Sequence, residues 1–264
     1  MKTDLHIHSS FSDGQYSPKE ILNQIIDNNI KEFSITDHDT IKGAIIMKDL
    51  VKNENLVFRM GVEISTRIEE LKVNVHILCY DFDEKNFEVL NILEDLHNKR
   101  LNKLDLIIDF VKENFNFIIT EEKKLELLKN NYIVGKPHVY TLLNEYKPIE
   151  KETYYNIMNN LNSESTKVDA IKTIKVFHNA GGKVVLAHPK EIEKEYNIDS
   201  EIVIKYLKNY NLDGLETEHS THTKEDIKRF KILAKKYNLF ETCGSDYHGE
   251  KVKEDIKIGV CEKN

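Results

Sequence analysis

The chain has no tryptophan, only four prolines and only three cysteines in 264 residues, and these scarcities narrow what it can be. Cys79, Cys243 and Cys261 are odd in number, far apart and without a CxxC pair, so a reducing cytoplasm is expected rather than a disulfide framework. Arginine is equally sparse: Arg59, Arg67, Arg100 and Arg229 stand against abundant lysine. With a formal net charge of −7 and no basic patch, tight duplex binding driven by counterion release is not expected. A small anionic ligand held by metal stays compatible, because local cations outweigh net charge at a site. No apolar run approaches the ~20 residues of a membrane span. Met1-Lys2-Thr3-Asp4 runs straight into a strand pattern, so no signal peptide is expected. These limits describe a cytoplasmic protein, a monomer or small oligomer, that avoids membranes.

What is present is ample core material: 40% of the residues are hydrophobic, enough for one large α/β domain or a core domain carrying an insertion. The first part alternates as βα units. Strands are expected at Thr3–Ile7, Glu32–Thr36, Leu56–Ser65 and Leu71–Tyr80. Ser17-Pro18-Lys19-Glu20 supplies an N-cap, a proline at N1 and a glutamate at N3, the capping box of a helix reaching about Asn28. A second helix runs from near Thr40 to Lys52. From Phe87 to His178 the pattern turns helical, as in Leu90, Leu93, Leu96, Leu101, Leu104, Ile107, Ile108 and Val111, with an extended break expected at Phe115–Ile119 before Thr120 caps another helix. Alternation returns with Val168–Ala180, stopped by Gly181-Gly182, and strands follow at Lys183–Ala187, Gly214–Glu218 and Leu239–Cys243. Residues 1–91 and 169–264 therefore read as the core domain, and 92–168 as an inserted helical subdomain.

The chemistry starts at the N-terminus. His6 and His8 lie two apart on the first strand, so both imidazoles project from one face. Asp13 follows, then His38 in Ile35-Thr36-Asp37-His38-Asp39-Thr40. Further polar groups fall at later strand ends: Glu63 in Gly61-Val62-Glu63-Ile64-Ser65, His76 in Val75-His76-Ile77-Leu78, His188 in Ala187-His188-Pro189, and Asp246 with His248 in Gly244-Ser245-Asp246-Tyr247-His248-Gly249. Catalytic groups of α/β barrels and open sheets gather at that edge. Nitrogen and oxygen donors without thiolate suit Mn, Fe and Zn almost equally. Such ions can lower the pKa of bound water from about 15.7 to about 7, making a nucleophile at neutral pH.

HIHSSFSDG, ITDHDT, GVEIS, VHILCYDFD, AHP and GSDYH, in that order, resemble the PHP (polymerase and histidinol phosphatase) phosphoesterases along nearly the whole chain. The HILCYDFD segment and Gly135-Lys136-Pro137-His138 look most like the branch of nucleoside 3′,5′-bisphosphate phosphatases and 5′-to-3′ exonucleases. The resemblance implies a distorted (β/α)7 barrel and three divalent ions. In it His6, His8, Glu63 and Asp246 hold one ion; Glu63 bridges to a second, completed by His76 and His188; and Asp13, His38 and His248 hold the third. Metal-bound hydroxide is the implied nucleophile, with Asp246 as proton acceptor if its second oxygen faces the water. His138, Lys136, Lys190 and His222 are implied contacts to substrate phosphate. His219, beside His222, either touches substrate or faces solvent. Related sequences often carry arginine at Lys136 and soon after AHP, where this chain has Lys190; lysine cannot grip phosphate through two parallel bonds. The expected activity is hydrolysis of a phosphate monoester on a nucleotide or short oligonucleotide. The rivals are a phosphatase for another small metabolite such as histidinol phosphate, and a silent module binding metal and nucleotide.

Blander roles fit other residues. His97 and His178 lie in helical stretches and read as structural or exposed. Asp37 and Asp39 flank His38 and either orient it or cap the next helix, capping being preferred for Asp39. The Lys/Glu-rich runs near 121–129 and 151–152 read as solvated helix faces.

Overall fold

The computed structural model describes residues 2–130, 134, 136–146, 148–160, 166–259 and 261–262. In chain order the elements are β1 (Lys2–Ile7), α1 (Pro18–Asp27), β2 (Glu32–Ile35), α2 (Lys42–Leu50), β3 (Val57–Ile68), β4 (Val73–Tyr80), α3 (Phe87–Phe115), α4 (Glu121–Asn130), α5 (Lys136–Tyr146) and α6 (Lys151–Asn160). They continue as β5 (Val168–Asp169), α7 (Ala170–Asn179), β6 (Lys183–Leu186), α8 (Pro189–Tyr196), α9 (Ser200–Lys208), β7 (Gly214–His219), α10 (Lys224–Lys236), β8 (Phe240–Gly244) and β9 (Cys261–Glu262).

The sheet runs in the order β8-β7-β6-β4-β3-β2-β1-β9, with β5 paired to β3. Its two ends curl together: Ile7 bridges Tyr247, Asp246 N–H donates to His6 O at 2.8 Å, and His8 N–H donates to Tyr247 O at 2.9 Å. The result is a nearly closed α/β barrel with helices outside. Strands β1 and β2 are buried on both faces, as parallel strands under helices must be. The main core lies between sheet and helices and includes Ile7, Ile21, Phe33, Ile35, Phe177, Leu215 and Phe230. A small cluster of Leu5, Leu78, Tyr80, Val185 and Ala187 forms a separate group, tied together where the Tyr80 hydroxyl donates to Leu5 O at 2.8 Å.

Two described strands break the parallel pattern: the short β9, antiparallel to β1 at the sheet's edge, and β4 within it. β4 is antiparallel to both neighbours, β3 and β6, because it returns as a hairpin from the long β3. The sequence reading treated it as another strand of the βα series. The reversal is what distorts the barrel, and it decides how His76 reaches the site: His76 lies opposite Ser65 within the hairpin rather than at a strand's carboxyl end.

Helix α1 begins as expected. Ser17 and Glu20 form the capping box, and Ile21, Leu22 and Ile25 are buried. Fully burying each such side chain contributes about 1.5–3 kcal/mol. Helix α2 differs. Ile41 is its N-cap and makes no side-chain cap bond. Asp39 instead accepts from Ser65 N–H at 2.7 Å and from the Arg100 guanidinium, so it clamps strand and helix rather than capping.

Helix α3 spans 29 residues, about 43 Å at 1.5 Å per residue. Its Val89, Ile92, Leu93 and Leu96 pack into the barrel core, whereas Leu104, Ile107 and Val111 belong to a second apolar cluster with Leu142, Leu143 and Tyr154. Position 92 therefore falls inside an unbroken helix. The break after Phe115 is present: Asn116 ends the helix in a left-handed conformation, and Thr120 Oγ1 accepts from Lys123 N–H at 3.3 Å.

Cys79 is a free, buried thiol, whereas Cys243 is disulfide-bonded, so the expectation of reduced cysteines does not hold throughout. Among the described residues no helix is long and apolar enough to cross a membrane.

Candidate metal centre

Glu63 is the hub. β3 buries it completely and presents both carboxylate oxygens to imidazoles. Oε2 lies 3.2 Å from His6 Nε2, 3.2 Å from His8 Nε2 and 3.0 Å from His38 Nδ1. Oε1 lies 2.9 Å from both His76 Nδ1 and His188 Nε2. Beside this hub, Asp246 Oδ1 is 3.3 Å from His8 Nε2 and 3.3 Å from His248 Nδ1. His248 Nε2 is 3.2 Å from Asp13 Oδ1, and His38 Nε2 is 4.0 Å from Asp13 Oδ2. The fold thus brings together His6, His8, Asp13, His38, Glu63, His76, His188, Asp246 and His248.

Local backbone explains how the strand ends deliver these groups. Asp37 accepts from Ser9 N–H, Ser9 Oγ and Ser12 Oγ at 2.6–2.7 Å, which locks the loop carrying Asp13 onto the loop carrying His38. Asp37 is therefore an organiser, the first of the two roles open to it in the sequence. Asp39, His188 and Asp246 all have positive φ (56°, 26° and 56°), a conformation that costs non-glycine residues on the order of 1 kcal/mol or more. Gly244 allows β8 to approach β1, because a Cβ there would stand 2.1 Å from His6 Cβ.

The donor set fits divalent cations. His6 Nε2, His8 Nε2, His38 Nδ1, Asp13 Oδ1 and Glu63 Oε2 are buried and have no hydrogen-bond partner. Orphaned buried polar atoms are rare and costly; the three imidazole nitrogens face Glu63 Oε2 across gaps of 3.0–3.2 Å, and Asp13 Oδ1 stands 3.2 Å from His248 Nε2. Donors bound about 2.1 Å from one ion stand about 3.0–3.4 Å apart by simple polyhedral geometry. Among the described residues four groupings offer ligand atoms within 4.8 Å of one another: His6, His8 and Glu63; His38, Glu63 and His76; His8, Asp13, His38 and His248; and His6, Glu216 and His219.

Electrostatics agree. Burial opposes charge on His6, but Glu216, Glu63 and Asp246 outweigh it and raise its pKa well above the usual value. Burial likewise opposes His8, yet Asp246 and Glu63 bring it up to about 9. His38 goes the other way: burial dominates and drives it to about 3. Burial alone would raise Glu63, Asp13 and Asp246, but surrounding cationic groups hold all three well below the carboxylate range. The centre is a cage of ionised acids in which His6, His8 and His188 are the imidazoles pushed toward the cationic form. Bound cations would supply that charge instead.

The remaining expected residues are placed variously. His219 is buried, with Nε2 3.4 Å from Asp246 Oδ2, which removes the solvent-facing option. His222 is buried too, with Nδ1 3.1 Å from Thr217 O and its ring against Phe230. Lys190 pairs with Glu193 and Asp226 at 3.0 and 3.1 Å. His138 is half-buried on α5, where it lines a cavity with Lys123, Glu126 and Glu145; burial lowers its pKa, with Asp13 opposing that shift. The side chain of Lys136 lies outside the described residues. His178 is structural, paired with Asp213 at 2.6 Å.

Sequence reasoning passed over Glu216, Arg100 and Lys253. Glu216 Oε1 is 2.9 Å from His6 Nδ1, and its Oε2 accepts from His188 N–H at 2.7 Å. In the polar strand Gly214-Leu215-Glu216-Thr217-Glu218-His219 nothing local separates Glu216 from Glu218. Arg100, on α3, clamps Asp39 and donates to Ser65 Oγ at 3.2 Å. Lys253 donates to Asp246 Oδ2.

The sequence profile of the PHP domain family matches residues 4–216. A phosphoribosyl 1,2-cyclic phosphate 1,2-diphosphodiesterase of Eggerthella lenta is 29% identical over 95% of this chain and 95% of its own length. A 5′-3′ exoribonuclease of Haemophilus influenzae is 26% identical over 94% and 90%, and a 3′,5′-nucleoside bisphosphate phosphatase of Chromobacterium violaceum 21% identical over 93% and 86%. Among solved structures, a Bifidobacterium adolescentis protein assigned as a metal-dependent phosphoesterase superposes with a TM-score of 0.80 at 24% identity, covering 98% of this chain and 91% of that one. A Chromobacterium violaceum amidohydrolase with bound sulfate and no metal gives 0.82 at 20% identity over 100% and 92%. With fold, donor set and profile in agreement, the chain belongs to the PHP domain family of metal-dependent phosphoesterases.

Proposed function

We propose that the protein hydrolyses a phosphate monoester of a nucleotide, a nucleoside 3′,5′-bisphosphate first, or of a short oligonucleotide, using three divalent ions (Mn, Fe or Zn). The observation that carries this reading is the double engagement of Glu63, with imidazoles on both of its oxygens. His6, His8, Glu63 and Asp246 would hold one ion, Glu63, His76 and His188 a second, and Asp13, His38 and His248 a third. Ions held there supply charge neutralisation at the phosphate oxygens and an activated water.

The chain's own residues do the rest. Glu216 fixes the tautomer and tilt of His6 and at the same time holds the His188 backbone. Asp246 is the proposed proton acceptor; it is ionised, but its Oδ2 is held by Lys253 beside His219, so that oxygen would have to leave Lys253 to face the water. His138, Lys136, His222, His219 and Lys190 are the proposed phosphate contacts. His138 has the best support, because it lies within the field of Asp13. Lys190 would have to leave Glu193 and Asp226 to take part. In this reading residues 92–168 form an inserted helical subdomain beside a barrel of 1–91 and 169–264; the separate apolar cluster of residues 104–158 supports its middle, while Ile92, Leu93, Leu96 and Val168 pack into the barrel core. We place the activity in the cytoplasm, in a monomer or small oligomer.

The Eggerthella relative, similar over nearly its full length, favours a second reading: a cyclic phosphate diester of a phosphorylated sugar. A substrate panel on metal-reconstituted protein separates the two. Turnover, read as phosphate release for the monoesters and as ring opening for the cyclic diester, should be faster with adenosine 3′,5′-bisphosphate than with AMP, p-nitrophenyl phosphate or a ribosyl cyclic phosphate. Equal rates on all four would make it an unspecialised phosphatase, and preference for the cyclic diester would establish the second reading.

A further inference from the structure

A cleft of about 590 Å³ lies between the turn after β7 and the segment that follows β8, lined by Ser220 and Thr221 on one side and by Lys253, Glu254, Asp255, Ile256 and Lys257 on the other. Its size falls within the range of about 300–1,000 Å³ usual for small-molecule sites. It shares a wall with the metal centre twice over. Lys253 both lines the cleft and donates to Asp246 Oδ2. Ser220 and Thr221 follow directly on His219, whose Nε2 is 3.4 Å from that same oxygen.

Two polar groups here have capacity to spare. The Ser220 hydroxyl is buried with no partner. Lys253 carries three N–H donors and is about one-third exposed, so donors remain beside the one on Asp246. Glu254 and Asp255 also line the cleft, but both are solvent-exposed and screened, and Lys257 stands in the same lining, while Lys253 is half-buried. A phosphoester whose scissile phosphate sits in the centre must send its other half somewhere adjacent. Lys253 links this cleft to the oxygen of Asp246 that faces away from His6 and His8.

We propose that the cleft seats the leaving-group half of the substrate, and that Lys253, assisted by Ser220, binds a second phosphate carried there. The inference rests on the bisphosphate reading above and gives it a residue-level cause: selectivity for two nearby phosphates comes from one ammonium spanning centre and cleft. Lysine acts here as a point charge, which suits a phosphate presented at varying angles by nucleotides of different length.

The test compares Lys253→Met, Lys253→Arg and Ser220→Leu with wild type after metal reconstitution. The ratio of kcat/KM for adenosine 3′,5′-bisphosphate to that for p-nitrophenyl phosphate should fall about tenfold or more in Lys253→Met, as expected for loss of one charge-assisted contact. Lys253→Arg should recover most of the ratio. Ser220→Leu, which fills the cleft from the opposite wall, should lower it independently. A ratio unchanged in both Lys253→Met and Ser220→Leu would overturn the proposal, as would a parallel loss on both substrates. A second readout does not depend on turnover: in crystals of the metal-loaded protein with AMP, the phosphate should lie within hydrogen-bond distance of Lys253 Nζ. Should wild type prove inactive on every bisphosphate, the functional reading fails; AMP seated outside the cleft would sink this inference alone.

Discussion

Glu216 offers the sharpest perturbation because both of its oxygens are committed and neither is proposed to touch a metal. Oε1 meets His6 Nδ1 at 2.9 Å, Oε2 takes the His188 amide at 2.7 Å, and the side chain is fully buried. Burial alone would raise its pKa, but His6, His219 and His188 bring it below the usual value, so it is ionised at neutral pH. Glu216→Ala orphans the His188 N–H, at about 1–3 kcal/mol, and removes a charge-assisted bond worth about 1.5–3 kcal/mol. A loss on the order of 4 kcal/mol follows, which for a chain of this length lowers Tm by on the order of 10 °C. Glu216→Gln keeps an oxygen for His188 and should retain most of that stability. Both variants should bind metal about 10–100-fold more weakly, the usual consequence of removing a group that orients a ligand. Competition with a chelator measures that affinity, and elemental analysis at saturating metal counts the ions. Wild-type affinity in Glu216→Ala would refute the orienting role. Loss of one whole equivalent at saturation would make Glu216 a ligand, in keeping with its place beside His6 and His219.

Other perturbations reach different parts of the account. The hydroxyls of Tyr16 and Tyr247 both donate to Glu250, at 2.8 and 3.0 Å, and Gln15 bonds both His248 O and Lys251 N–H, which fastens the Asp13 loop to the His248 loop. Glu250→Ala should therefore weaken the ion held by Asp13 and His248 several-fold while leaving the other ions in place, as read by metal titration with anomalous diffraction; uniform weakening would contradict the clasp. Asp13→Ala and His248→Ala should each abolish activity and remove one equivalent of metal while preserving the circular dichroism spectrum; unchanged turnover in both would eliminate the third ion. For Glu193, burial opposes ionisation, but Arg229, Ser200 and Lys190 outweigh it and bring its pKa down to about 2. The folded state thus favours the carboxylate, and the stabilisation is present above about pH 4.5 and lost as pH falls toward 2. Glu193→Gln should lower Tm at pH 7, with the difference from wild type shrinking below pH 4.5; a constant difference would assign the effect to packing.

How much of this was readable in advance follows from which signals are local. The His6–His8 pair was legible because strand periodicity alone puts both rings on one face, and both now meet the same oxygen of Glu63. The capping box of α1 was legible because its residues are adjacent in sequence. The reversal of β4 was not, since alternation of side chains is the same in parallel and antiparallel strands. Asp39 was read as a cap because its partner Arg100 is distant in sequence and lies on a helix beyond three other elements. Lys253 was hidden for a similar reason: in the charged run Glu250-Lys251-Val252-Lys253-Glu254 nothing local separates the one lysine turned toward Asp246 from its solvated neighbours.

The central claim is that imidazoles and acids distributed from His6 to His248 form a cage for divalent cations on which hydrolysis depends. Anomalous diffraction from crystals equilibrated with Mn²⁺, read alongside elemental analysis, tests it directly. The account predicts strong peaks flanking Glu63, each about 2.0–2.3 Å from the nitrogen and oxygen donors named here, and activity that disappears on chelation and returns with metal. Peaks absent from the Glu63 hub, or full turnover by metal-free protein, would contradict it.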